Sequence, residues 1–285
     1  MKFKIITDSS SDYTQDEAKN LGITVLPLSL NFDNESYKDG IDISKDEFYD
    51  LLINKKKFPK TSQPTAETFE KIFMDAKNAN EVLFVILIAN SLSGTYANAC
   101  LAKEKVDYHH IYIIDSCTTI AGLQILIEHA LKLSNEGKEI QEIVQSLNEL
   151  KKRIVVVAIM NTLEYLVKGG RLSSSEGIIG NLLNLKPTIK FKEDGSIAVI
   201  GKSFGRIRAN IHITKFFKEN PSDENFPIYY YYSYNQSNLM NLIEKLKKEN
   251  LYRKGKVINL SPVVGCHIGD NAYALVYVRK ENETK

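Results

Sequence analysis

The 285-residue sequence has no tryptophan and only three cysteines, Cys100, Cys117 and Cys266. These are widely spaced and form no CxxC, which excludes a disulfide framework or a zinc knuckle. No run of roughly 18 apolar residues occurs that could cross a bilayer. The opening MKFKIITDSS begins directly on a strand pattern, without the longer apolar stretch of a signal peptide. A dominant charge is also missing: 37 basic against 35 acidic residues leave +2, too small a surplus for nucleic-acid binding. The clusters Lys55-Lys56-Lys57 and Lys151-Lys152-Arg153 read as solvated loop or helix ends. The expectation is a cytoplasmic protein.

Familiar catalytic signatures are absent too. There is no G-x-S-x-G and no H-E-x-x-H. The loop after the first strand, DSSSD, lacks the G-x-G-x-x-G that brings pyrophosphate close to backbone. No lysine follows the glycine of SLSGT, as a phosphate-gripping P-loop requires. No carboxylate pair has a spacing that would separate acid from base. Neither a metal site nor a cofactor is expected.

What is present is the composition of a folded globular chain, 43% hydrophobic and 25% charged. Strands and helices alternate through the first half. KFKIIT, ITVLPLSLNF, VLFVILIA and IYIID read as strands, and the wholly apolar VLFVILIA suits one buried on both faces. Ser44 and Glu47 have capping-box spacing before DEFYDLLIN. Pro64 stands where a first helical residue belongs, before TAETFEKIFMDAK. A long amphipathic run covers Thr118 to about Ser134, and a helix from about Glu139 leads into IVVVAI. Such alternation argues for a parallel sheet covered on both faces.

After residue 153 the character changes. TIKF, the turn Glu193-Asp194-Gly195 and SIAVIGK form a hairpin signal. A helix from about Arg206 to Lys218 follows, then IYYYYSY, the helix NLMNLIEKLKKEN, and the strands KVINLSPVV and AYALVYVRK. The expected organisation is two α/β domains. Residues 1–153 would form a parallel N-terminal domain, and 154–285 a smaller C-terminal one with antiparallel pairing.

Four polar clusters fall at element ends, where α/β scaffolds commonly carry sites. They are Thr7-Asp8-Ser9-Ser10, Thr61-Ser62-Gln63-Pro64-Thr65, Ser91-Leu92-Ser93-Gly94-Thr95 and Asp115-Ser116. The second and third precede helices, whose free first-turn amides attract anions. The plainer alternative is that Ser62 and Ser93 cap those helices, worth ~1 kcal/mol each. Arg171 in GGRLS offers a fixed fork of donors suited to a carboxylate, or is an ordinary arginine after a helix. His267, set between glycines near the end of a strand, could orient a donor or be purely structural. Ser93 or Ser116 could serve a hydrolase as nucleophile, and the same helix starts could hold a nucleotide or sugar phosphate.

Taken together and in order, ITDSSSD, KTSQPT, SLSGTY, IIDS, KGGRLS, IGNLLNLKPTI and PVVGCHIG resemble the DegV family of bacterial fatty-acid-binding proteins. These are the lipid-carrying subunits of fatty acid kinase, and the resemblance spans nearly the whole chain. It implies a two-domain α/β fold with a long-chain fatty acid in a tunnel between the domains. The carboxylate would be bound by Thr61 and Ser93, with Ser62 and Thr95 beside them. Arg171 and His267 would belong to the surrounding polar network. Basic residues of a K-x-R-x-R segment, here Lys202 and Arg206, would contact the ATP-binding kinase subunit, although Phe204 stands where arginine is expected. The protein would be the carrier and not the catalyst. GLQILIEHALKL and EGIIGNLLNL have the apolar surface a tunnel wall requires.

Overall fold

The computed structural model describes residues 3–33, 35–173, 175 and 184–281. In chain order, β1 (Phe3–Asp8), α1 (Gln15–Leu21), β2 (Thr24–Leu26), β3 (Ser29–Phe32), β4 (Glu35–Lys38), α2 (Lys45–Tyr49) and β5 (Lys60–Ser62) come first. Next are α3 (Ala66–Asn78), β6 (Val82–Leu87), α4 (Thr95–Val106), β7 (Ile111–Asp115), α5 (Ala121–Asn135), α6 (Ile140–Leu150) and β8 (Ile154–Ile159). Then follow α7 (Glu164–Lys168), β9 (Leu185–Phe191), β10 (Ile197–Phe204), α8 (Gly205–Glu219) and β11 (Tyr229–Tyr232). The last are α9 (Ser237–Lys248), β12 (Lys256–Asn259), α10 (Pro262–Ile268) and β13 (Tyr273–Val278).

The chain forms two compact units. The first comprises Met1–Ile43, Pro59–Lys152 and Glu193–Gly195; the second comprises Ser44–Phe58, Arg153–Lys192 and Ser196–Lys285.

In the first unit a four-stranded sheet runs β2-β1-β6-β7 with every pairing parallel. All six residues of β6 are buried, as its unbroken apolar run requires. Helices α3 and α4 bury Phe69, Phe73, Ala99 and Ala102 against Leu83, Val85 and Leu87 of that strand. Residues 121–127 of α5 are buried without a break, so the amphipathic reading of this helix holds only for its later turns. ITVLPLSLNF does not form one strand. Pro27 lacks an amide donor and divides it, so that β2 joins the parallel sheet and β3 the antiparallel sheet β4-β3-β5.

The second unit holds a six-stranded sheet, β10-β9-β8-β13-β11-β12, in which β11–β12 is the parallel pair and the other pairings are antiparallel. Helices α8 and α9 pack Ile213, Phe217, Leu239 and Leu242 onto Val157, Tyr230 and Leu275. In β11 the residues Tyr229, Tyr230 and Tyr231 are all buried, so the strand is covered on both faces. The Ser44 capping box forms as the spacing indicates, with Glu47 N–H on the Ser44 hydroxyl and the Glu47 carboxylate on Ser44 N–H.

KVINLSPVV also differs from the expectation of a continuous strand. β12 stops at Asn259, and Pro262 opens α10, a position where its fixed φ and missing amide suit a helix start. Residues 176–183 of the EGIIGNLLNL segment lie outside the described residues. Among the described residues no helix is long and apolar enough to cross a membrane.

Candidate functional site

Two of the polar clusters prove structural. The Asp8 carboxylate accepts the amides of Ser10 and Ile88, at 3.0 and 2.8 Å, and the Ser10 hydroxyl. It thereby ties the end of β1 to the end of β6. Burial pushes its pKa up, and those three donors oppose the shift. Asp115 Oδ1 accepts the amides of Asn90 and Cys117, at 3.2 and 3.0 Å. Ser116 is fully buried, and its hydroxyl donates to the Thr118 carbonyl. It is no accessible nucleophile.

The other two clusters of the first unit are brought together. Thr61 and Ser62 end β5, in register with Leu30 and Ser29 of β3. The Ser62 hydroxyl accepts a 2.8 Å bond from Asn31 Nδ2, which leaves its own proton to donate. Ser62 is therefore part of a strand and caps no helix. The cap of α3 is Thr65, whose side chain accepts from Thr68 N–H, so Pro64 precedes the helix and is not its first residue.

The Ser91–Thr95 loop is fixed from behind. Ala89 N–H donates to Thr118 O, and Ala89 O accepts from Leu92 and Ser93 N–H at 2.9 and 3.1 Å. Ser93 Oγ lies 2.8 Å from Thr95 Oγ1. Thr95 is wholly buried, so it stands behind Ser93 as support. With Thr95 as donor, the Ser93 proton is directed forward. The N-cap of α4 is Gly94, which has no capping side chain, and the first helical amide, Thr95 N–H, donates to Ser93 Oγ at 3.4 Å; α3 is capped by Thr65.

The loops meet at Gly94. A Cβ there would lie 2.6 Å from Gln63 Nε2, so the missing side chain lets TSQPT and SLSGT touch. Asn98 Nδ2 adds a 2.8 Å bond to Pro64 O. The result is a junction at which the end of β5 meets the Ser93 loop at the start of α4, with Thr61 and Ser62, as consecutive strand residues, on opposite faces of β5.

Arg171 and His267 come together in the second unit. Arg171 follows α7, and its Nη1 donates to the carbonyl of Gly169. His267 lies in the last turn of α10, a helix where a strand end was expected. A Cβ on Gly169 would overlap the His267 ring, so the glycine permits this approach. Burial, and secondarily the Arg171 charge, push the imidazole down to about 4, leaving it neutral at pH 7. Burial likewise lowers the Arg171 value.

Lys202 is exposed on β10. Arg206 is half-buried in the first turn of α8, with Nη1 on Asn271 O at 3.1 Å and Nη2 on Asn161 Oδ1 at 3.3 Å. Asn31, which bonds to Ser62, was not marked by the sequence, and Gln63 was marked only as a member of its cluster. Each acts through a partner some thirty positions away, and only the strand register and loop packing bring them together. Among the described residues no group of three or more His, Cys, Asp or Glu could hold a metal.

Comparison with known proteins bears on this geometry. The model of the DegV family, described as uncharacterised proteins, matches residues 2–280. A DegV domain-containing protein of Caldanaerobacter subterraneus is 39% identical over 222 residues, covering 78% of this chain and 79% of that protein. The crystal structure of a fatty acid binding DegV family protein from Streptococcus agalactiae superposes with a TM-score of 0.88 at 29% identity, covering 99% and 100% of the two chains. That of a stearic acid-binding protein from Eubacterium ventriosum gives 0.86 at 25% identity, covering 98% and 99%.

Proposed function

The chain belongs to the DegV family, and from that premise we propose that it binds a long-chain fatty acid, its carboxylate held by Thr61, Ser62 and Ser93 with Thr95 behind. The observation that carries this reading is the junction where Gln63 packs over Gly94, which brings the Thr61–Ser62 strand end against the Ser93–Thr95 hydroxyl pair at the start of α4. A carboxylate has one charge and two acceptor oxygens, so hydroxyls and helix-start amides can satisfy it where a triphosphate would need cations. Two of the structural neighbours are described as fatty-acid-binding and stearic-acid-binding, which supports the ligand class.

The alkyl chain supplies most of the affinity in this reading, at ~0.8 kcal/mol per buried methylene. Sixteen carbons offer roughly 10 kcal/mol before ordering costs are subtracted. Arg171 and His267 are supporting groups. The bound acid is presented to a separate ATP-using fatty acid kinase subunit, which performs the chemistry. Lys202 is the exposed cation for that contact, since the Arg206 guanidinium is already bonded to Asn161 and Asn271.

Solvent extraction of the purified protein followed by mass spectrometry tests the ligand. A stoichiometric species of fatty-acid mass is expected. A clean apo protein that also fails to take up palmitate or oleate would refute the reading.

A further inference from the structure

The turn Glu193–Gly195 packs with the first unit, and Gly195 makes a close approach there. Its φ is +79°, and a Cβ added to it would lie 2.6 Å from the Ala89 methyl and 2.9 Å from the carbonyl carbon and oxygen of Cys117. Real Cβ atoms essentially never come so close, and two of those three atoms are backbone that cannot swing aside. The sequence alone marks Gly195 only as a hairpin turn residue.

The two residues beneath it anchor the Ser93 loop. Ala89 O accepts the amides of Leu92 and Ser93, and Ala89 N–H is held by Thr118 O. Cys117 N–H shares Asp115 Oδ1 with Asn90 N–H, the first amide of the loop. Cys117 itself has φ +52°, a conformation that side-chain-bearing residues rarely adopt, so its position is fixed by its surroundings. A shift of either residue is passed through these bonds to Ser93.

We infer that Gly195 is a positioning residue for the ligand head group: its bare backbone seats the turn on Ala89 and Cys117 and so fixes where the Ser93 hydroxyl points. This inference rests on the head-group reading above.

Palmitate dissociation constants of the full chain separate the possibilities. Gly195→Ala is expected to weaken binding about tenfold, the effect of misaligning one hydrogen bond to a charged group. Gly137→Ala is the control, because Gly137 has φ +78° with nothing within 4 Å of an added Cβ; it reports the backbone conformation alone and should leave affinity within about twofold. In a Ser93→Ala background the Gly195→Ala effect should largely vanish, since coupled residues are non-additive. Adding Ala89→Gly to Gly195→Ala removes the methyl that is struck but leaves the Cys117 carbonyl in the way, and should recover only part of the affinity.

Wild-type protein that binds no palmitate would refute the ligand reading itself. If wild type binds and Ser93→Ala weakens it, the positioning role is overturned by Gly195→Ala behaving like Gly137→Ala. It is equally overturned by a full-sized Gly195 effect that persists without Ser93.

Discussion

Acidification should unfold this protein partly through one histidine. His267 has an ordinary value of 6.5 and is held at about 4 in the folded chain, chiefly by burial and then by Arg171. A base whose folded value is depressed contributes stability that is complete above pH 6.5 and is lost as the pH falls towards 4. The unfolded chain takes up the proton and the folded chain resists it. Linkage over these two values gives a loss of about 2 kcal/mol between pH 8 and pH 5, and about 3 kcal/mol by pH 3. Carboxylates titrate in the same range, so the measurement is a difference. Urea unfolding of wild type and His267→Gln is followed from pH 8 to pH 5, and wild type should lose about 2 kcal/mol more than the variant. Arg171→Gln should raise the imidazole value only slightly, because burial is the larger cause. Coincident pH profiles for wild type and His267→Gln would refute the assignment of His267 as a buried neutral imidazole.

Other consequences are as direct. Asp8→Ala strands the amides of Ser10 and Ile88 in a buried site, and should lower stability by about 2–4 kcal/mol in chemical denaturation. Ser93→Ala should reduce retained fatty acid, with an affinity loss of about tenfold by fluorescent-acid displacement and little change in melting temperature. Asn31→Ala removes the bond that orients Ser62 and should weaken binding by a smaller factor, about threefold, in the same displacement titration. Lys202→Glu should leave lipid content unchanged while slowing acyl-phosphate formation by a purified kinase subunit; equal rates would remove Lys202 from that contact.

Much of the scaffold was legible because local rules and the final fold agree. The apolar VLFVIL became a strand buried on both faces, and Ser44 with Glu47 formed the capping box their spacing announces. Where the reading departed, a proline or a distant partner was responsible. Pro27 divided one apparent strand between two sheets, and Pro262 turned the next segment into a helix, which moved His267 from a strand end to a helix end. The serines and threonines of this junction were visible as loop clusters. Their roles were not, because Ser62 depends on Asn31 through the β3–β5 register and Ser93 on the buried Thr95. Arg206 shows the same limit: its partners Asn161 and Asn271 lie 45 and 65 positions away in sequence.

The head-group assignment is tested most directly by a crystal structure of the chain with stearate. The carboxylate is expected within hydrogen-bonding distance of Ser93 Oγ and of the Thr61 or Ser62 hydroxyl. An ordered stearate whose carboxylate lies in solvent, or against a cation remote from these three residues, would contradict it.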